Sequence, residues 1–380
     1  MKVVIACDSY KGCMSSKEVA QHIEIGIHRL DPTIETVSYV IGDGGEGSVE
    51  AFEQTCLGVR QYVKTTDAYG KPIETYYTCI DQGKTAVIEV ANIIGLNMHE
   101  KERRAPFFGS SFGVGTVILD AVSKGCTKII VGLGGSATND GGMGLLQSLG
   151  ARFYDASHQY LSPQAMNLEK VRYIDFNRLQ TLEGIELIAA CDVKNRLLGV
   201  NGATYVFGKQ KGLFPNQMKK LDQGMENFRN QIQRYTKVDL NTIVGGGAAG
   251  GIGAVLIGVL KANMVPGIDL LLSCSDIEEQ IKSCDLVITG EGQSDHQTMY
   301  GKVPAGIVKL ANMYHKPTIC MSGALGIGYT ELYKLGFIGI YSIADRAMTF
   351  QQALEHAPEK LEEAAYSILK TITYFYEKNL

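Results

Sequence analysis

Short β-branched runs that end in glycine clusters and give way to helical periodicity recur along this chain, and no other feature constrains its fold as strongly. Residues 3–6 run into a loop at 8–14 and then a helix over 16–30, which opens on Ser15 and Glu18 at capping-box spacing. Residues 36–41 lead through DGGEG at 43–47 into a helix over 48–56. A helix over 112–123, a strand at 128–131, the run GLGGSATNDGGMG and a helix through 149 repeat the rhythm, and 185–190 reads as another buried strand. In the last hundred residues, strands at 286–289, 318–321 and 338–342 alternate with helices over 303–313 and 351–374. Strand and helix in alternation build a mainly parallel sheet covered by helices.

Residues 59–90 break this rhythm. There KPIETYYTCI and KTAVIEV alternate in polarity between the turn residues Asp67, Gly70, Asp81 and Gly83, which predicts an antiparallel patch. The length of 380 residues fits two domains. The expected architecture is α/β. A discontinuous, doubly wound, mainly parallel α/β/α domain of Rossmann-like type comes from 1–66 and 285–380, a second α/β domain is inserted at 67–284, and a ligand cleft lies between them.

Charge excludes some partners. With 36 basic against 40 acidic residues the chain carries −4, without long blocks of one sign, so neither a nucleic acid nor an anionic membrane is drawn to it. Nine cysteines, odd in number and without a CxxC pair, predict free thiols in a reducing, cytoplasmic setting rather than a disulfide framework or a zinc site. The apolar beginning is too short for a signal-peptide core. Residues 243–260 carry no charge, but seven of the eighteen are glycine, which fits a loop entering a buried helix better than a membrane span.

Among nucleotide motifs, GKT at 83–85 lacks the upstream glycine of a Walker A loop. Gly245, Gly247 and Gly250 match G-x-G-x-x-G with Asp269 downstream, but a dinucleotide site requires a true strand before Gly245. Gly134, Gly135, Ser136, Ala137 and Thr138, between an apolar strand and a helix, predict an anion site built from amides and hydroxyls. The pattern D-G-G-x-G occurs at Asp43 and at Asp140, where each carboxylate could hold Mg²⁺ or cap a helix. Asp192 and Glu291 stand at the C-terminal ends of buried strands, where open α/β sheets bind ligands. Asp295, His296 and Lys302 follow Glu291, and Lys11 follows the first strand, placed to neutralise phosphate.

Taken in order, DSYKG at Asp8, DGGEG at Asp43, GGSATNDGG at Gly134, ACDV at Ala190, VFGKQKG at Val206, GGGAAGGIGA at Gly245, PGIDLLL at Pro266 and TGEG..D.QT..GK.P at Thr289 resemble the bacterial glycerate kinase family over nearly the whole chain. The resemblance implies transfer of the γ-phosphoryl group of ATP, with Mg²⁺, to a hydroxyl of D-glycerate, and favours 2-phosphoglycerate as product. Expected partners are glycerate and ATP, with a homodimer allowed. It implies that Asp192, Asp295, Lys11 and Lys302 act in catalysis. Asp8, Ser9, Gly44, Gly45, the loop from Gly134 to Thr138 and Glu291 are then the residues that bind substrate or phosphate. Asp192, on an apolar and therefore rigid strand, is the preferred base, and Asp295 is left for Mg²⁺ or for orienting the substrate.

Cys7, Tyr10 and Cys13 stand where relatives typically have Pro, Phe and Ser. Lys194 and Arg196 replace Asp and Pro, Lys209 replaces Pro, and Gln293 replaces Arg. These departures leave open a kinase for another small hydroxy acid, or a metabolite-binding module without catalysis.

Overall fold

The computed structural model describes residues 1–42, 48–179 and 182–378. Its strands are β1 (Lys2–Cys7), β2 (Glu35–Val40), β3 (Val59–Thr66), β4 (Pro72–Ile80), β5 (Thr85–Glu89), β6 (Lys128–Gly132), β7 (Arg152–Tyr154), β8 (Tyr173–Asp175), β9 (Glu186–Ala190), β10 (Asn263–Val265), β11 (Leu286–Ser294), β12 (Thr318–Leu325) and β13 (Gly339–Ser342). The chain divides into two compact units. The terminal unit comprises Met1–Asp43, Gln54–Cys56 and Ile268–Leu380, and the central unit comprises Gly44–Glu53 and Leu57–Gly267.

In the terminal unit five parallel strands lie in the order β13-β12-β11-β1-β2. Alternate side chains serve opposite faces, as a strand requires. Val3, Ile5, Ile288 and Ile319 pack with Ile23 and Ile27 of the helix Ser16–Leu30 and with Leu361 of the helix Phe350–Lys378. Cys320 and Ile340 pack with Val308 of the helix Val303–Met313. Helices therefore cover both faces, giving the expected α/β/α layering. The first helix begins as its sequence predicts: Glu18 N–H donates to Ser15 Oγ, and Ser15 N–H donates to Glu18 Oε2 at 2.7 Å. Gly26 lets this helix cross the last one closely, since a Cβ there would stand 2.4 Å from the Glu362 carbonyl oxygen.

The central unit has a six-stranded sheet, β10-β9-β6-β5-β4-β3, parallel from β10 to β5 and antiparallel from β5 to β3. The antiparallel patch thus falls where the alternation at 59–90 puts it.

The unit boundaries differ from the sequence expectation of 66/67 and 284/285. All eight residues of β3 pair with β4, so β3 belongs to the central sheet. The helices Gly267–Ser273 and Ile277–Ser283 group with the terminal unit, where Tyr39 Oη donates to Asp276 Oδ1 at 2.7 Å and Lys2 Nζ to Gln280 Oε1 at 2.8 Å. The short antiparallel pair β7–β8 and the helix Pro215–Thr236 are not anticipated by the sequence analysis. Three-residue strands are too short to show a period.

The apolar stretch at 243–260 forms the turn Ala248–Gly251 and the buried helix Ile252–Gly258. Among the described residues no helix is long and apolar enough to cross a membrane. Among the described residues no cysteine forms a disulfide.

Candidate active site

From β1 the chain steps to β2 on one side, and from β11 it steps through β12 to β13 on the other. The winding reverses between β1 and β11, and doubly wound sheets bind ligands at the carboxyl ends of the strands flanking such a reversal. A cavity of about 350 Å³ opens there, with Asp8, Ser9, Lys11, Glu291, Gln293 and Lys302 in its polar lining. The two strand ends are tied together by Asp8 N–H donating to the Gly290 carbonyl at 2.8 Å. The segment after β1 folds back on itself, with Tyr10 and Met14 exchanging backbone hydrogen bonds around Gly12 at φ +79°.

Within this cavity Glu291 is 5 % exposed and heavily engaged. Its Oε1 accepts from Ser294 Oγ at 2.9 Å and Thr298 Oγ1 at 2.6 Å, and its Oε2 holds Lys302 Nζ at 2.9 Å. A carboxylate with three donors acts first as an anchor, fixing the Lys302 ammonium at the cavity wall. The apolar run of the sequence ends at residue 289, but β11 runs on to Ser294 because β12 extends alongside it, pairing Glu291 with Ser322 and Gln293 with Ala324. Asp295 lies beyond the lining and caps the following turn, accepting from Gln297 N–H at 2.8 Å.

In the central unit, β5, β6 and β9 end in register, with Glu89 beside Gly132 and Gly132 beside Ala190. Three consecutive parallel strands therefore deliver Glu89, the Gly134 loop and Asp192 to one edge. Glu89, which the sequence analysis missed, is 2 % exposed and accepts from Val49 N–H at 3.2 Å. Both carboxylate oxygens of Asp192 are shielded from solvent.

The loop after β6 is arranged differently from the sequence expectation. The following helix, Met143–Ser148, is short, and its N-terminal amides are satisfied from within the protein: Met143 N–H donates to the Asp140 carbonyl, Gly144 N–H to Asp140 Oδ2 and Leu145 N–H to Ser111 Oγ. Asp140, fully buried, accepts from Ser111 N–H and Ser111 Oγ at 2.7 Å each, and from Gly142 N–H and Gly144 N–H at 3.1 Å each. Three of these bonds fall on Oδ2 and one on Oδ1, so of the two readings of Asp140 the geometry favours a carboxylate that secures the helix start, just ahead of the N-cap Gly142, over a Mg²⁺ ligand. Ala137 N–H is likewise spent on the Ile94 carbonyl at 2.8 Å. Gly135 is the exposed residue of the loop and Gly134 is half-buried, whereas Ser136, Ala137 and Thr138 point inward. The other D-G-G-x-G segment, with Asp43, Gly44 and Gly45, lies outside the described residues.

Beneath the loop sits a residue that sequence reasoning did not single out. Lys211, 2 % exposed, donates from Nζ to Ser136 Oγ at 2.9 Å and to the Thr138 carbonyl at 2.6 Å. Its signal was present in VFGKQKG, where a charged residue sits among glycines and apolar neighbours. Burial pushes its pKa down to about 7, against the upward pull of the Asp140 charge. Because the folded value lies below that of the unfolded chain, the ammonium weakens folding at low pH, and this penalty is lifted as pH rises from about 7 toward the usual lysine value. In urea titrations the wild type should gain on Lys211→Met as pH rises above 7, by at most about 1.4 kcal/mol per pH unit. Parallel stability curves from pH 6 to 9.5 would remove the buried ammonium from this account.

The glycine run from 245 to 251 supports this loop from behind. A Cβ at Gly250 would stand 2.1 Å from the Thr138 carbonyl oxygen, and one at Gly247 would stand 2.4 Å from that of Arg196. The segment before it is the turn Leu240–Thr242, not a strand, so the dinucleotide fingerprint fails its structural condition.

A cavity at the winding reversal of a doubly wound sheet, with Lys11, Lys302 and Lys360 in a lining that also holds the buried carboxylates of Asp8 and Glu291, is the kind of site an α/β enzyme offers to an anionic small molecule. Over residues 3–373 the chain matches the model described as the glycerate kinase family. It is 38% identical over 369 residues to a glycerate kinase of Bacillus cereus, covering 97% of each chain, and 38% identical over 373 residues to the glycerate 2-kinase of Escherichia coli K12, covering 98% of each. A crystal structure of a protein described as glycerate kinase 2 from Salmonella typhimurium LT2 superposes with a TM-score of 0.84 at 36% identity, covering 99% of both chains. The chain belongs to the glycerate kinase family, and it is a kinase.

Proposed function

We propose that this enzyme phosphorylates D-glycerate from ATP and forms 2-phosphoglycerate. The observation that carries the reading is the match to the E. coli glycerate 2-kinase over 98% of both chains, combined with the retained Lys11, Glu291 and Lys302 lining one cavity. Phosphoryl transfer needs positioning and charge neutralisation more than covalent chemistry, and two cationic side chains at a cavity wall supply the second. Lys11 and Lys302 neutralise phosphate oxygens, with Lys302 aimed by Glu291. Asp8 and Ser9 position the substrate at the same polar end. In the central unit the open end of the loop after β6, at Gly134 and Gly135, receives an anionic group, with Lys211 held beneath it against Ser136 Oγ. Asp192 accepts the proton of the attacking hydroxyl.

Mg²⁺ in kinases is held by substrate phosphates with one or two carboxylates rather than by a cage of protein ligands, and there it neutralises the charge that develops on the transferring group. Among the described residues no group of three or more His, Cys, Asp or Glu could hold a metal ion. Asp8 brings a carboxylate to the polar end of the cavity for that purpose.

One observation favours a second acceptor. Gln293 lines the cavity where the family typically carries arginine, so a hydroxy acid other than glycerate is a specific rival. A coupled ADP-release assay over C3 and C4 hydroxy acids, followed by NMR of the product, tests both readings. D-glycerate should give the highest kcat/KM, and the product phosphorus should couple to the proton on C2. A higher kcat/KM for another acid would transfer the assignment to that acid. Thermal stabilisation by glycerate without ADP release would instead mark a binding module.

A further inference from the structure

The cavity between β1 and β11 is lined by two chemically distinct sets of side chains. Besides the polar set that holds Lys11 and Lys302, the connection after β13 and the start of the helix Phe350–Lys378 bring an apolar wall of Ile343, Met348, Phe350, Ala353 and Leu354, together with Lys360, whose ammonium is already held by Asp345 and Glu363. We propose that this apolar wall receives the purine base of the phosphoryl donor, with Phe350 as its stacking surface, so that this part of the cavity is the base end of the nucleotide subsite. The proposal rests on the kinase reading and adds where, and by what contact, the nucleotide is held.

Chemistry separates the two substrates here. Glycerate is a three-carbon acid with polar groups on every carbon, so an apolar wall offers it nothing. A volume of about 350 Å³ lies in the range of sites for much larger ligands. A nucleoside polyphosphate is planar and apolar at one end and anionic at the other, which matches a cavity whose lining combines a group of hydrophobic side chains with the ammonium groups of Lys11 and Lys302.

The wall is also pre-positioned. Thr349 and Gln352 cap the helix start reciprocally, with Gln352 N–H donating to Thr349 Oγ1 at 3.3 Å and Thr349 N–H donating to Gln352 Oε1 at 3.0 Å. Lys360 bridges Asp345 at 2.9 Å and also holds Glu363, pinning the connection to the helix. The Phe350 ring is nevertheless 79% exposed at the cavity rim. An aromatic on a capped helix start, left open to water in the lining that also holds two phosphate-neutralising lysines, is suited to cover a base, because every base presents a π-face.

The test uses the full-length protein, with ADP binding measured by calorimetry in Mg²⁺ buffer and with KM for ATP and for D-glycerate measured separately. Phe350→Ala should weaken ADP and raise KM for ATP by about tenfold, Phe350→Trp should keep wild-type affinity, and KM for D-glycerate should not move in either. Truncating so exposed a side chain leaves the core untouched, and equal melting temperatures check this. Ala353→Phe, which fills the wall, should weaken ADP in the same way. ADP affinity unchanged in both Phe350→Ala and Ala353→Phe overturns the proposal, as does a rise in KM for D-glycerate alone. If wild-type protein binds no ADP, the kinase reading falls together with the subsite, a result distinct from normal ADP binding that ignores Phe350.

Discussion

Asp192→Asn is expected to lower kcat by at least about tenfold, within the ~10²- to 10⁴-fold that a positioned general base contributes, while KM for ATP stays near wild type. The amide keeps the shape of the carboxylate but cannot take the hydroxyl proton as the phosphoryl group arrives. Asp192 follows β9, whose Leu187 to Ala190 are all buried, so its backbone is held firmly. Asp295→Asn is the matching control. Asp295 caps the turn His296–Tyr300 through one oxygen, and asparagine caps as well as aspartate, so this variant should retain both fold and most activity. Near-normal turnover in Asp192→Asn, together with collapse in Asp295→Asn, would exchange the two roles.

Asp140→Asn should destabilise the protein by about 3–5 kcal/mol, the range expected when a buried charged network loses its centre. Asp140 is fully buried with three donors on Oδ2 and one on Oδ1, so an asparagine that keeps its oxygen at Oδ2 would still set its NH₂ against Gly142 N–H, a donor against a donor. Burial pushes the pKa of this carboxyl up, and the donors from Ser111, Gly144 and Gly142 pull the other way. The loss should appear in chemical denaturation and be the same with and without Mg²⁺. An Asp140→Asn protein of wild-type stability that needs far more Mg²⁺ for turnover would restore the metal-ligand reading.

Much of this protein is legible locally. The helix Ser16–Leu30 starts at its capping box, Phe112–Ser123 and Val303–Met313 match their apolar periods, and β6 and β9 fall on the runs that read as buried strands. Each of these signals is carried by residues a few positions apart, within reach of propensity and period. Harder to read were the unit boundary at β3, whose alternating residues say strand without naming a partner, and the helix Pro215–Thr236, whose mostly polar surface hides an inner row of Leu221, Met225, Phe228 and Ile232. The site divides in the same way. Lys11 and Lys302 are legible as cations after strands, and the tertiary structure puts both in the lining of one cavity.

By itself the sequence determined the alternating α/β class, the strand ends at which ligand-binding residues cluster, and the ordered motifs of the glycerate kinase family. Only the tertiary structure decided that Asp140 spends its carboxylate on Ser111, 29 residues away, and that Lys211 is buried against Ser136, 75 residues away. The same holds for the glycines at 247 and 250, which serve close backbone packing. The physical reason is that the chemical state of a polar side chain depends on burial and on its hydrogen-bond partners. In this protein both are supplied by segments far apart in the chain, and no local pattern of residues records them.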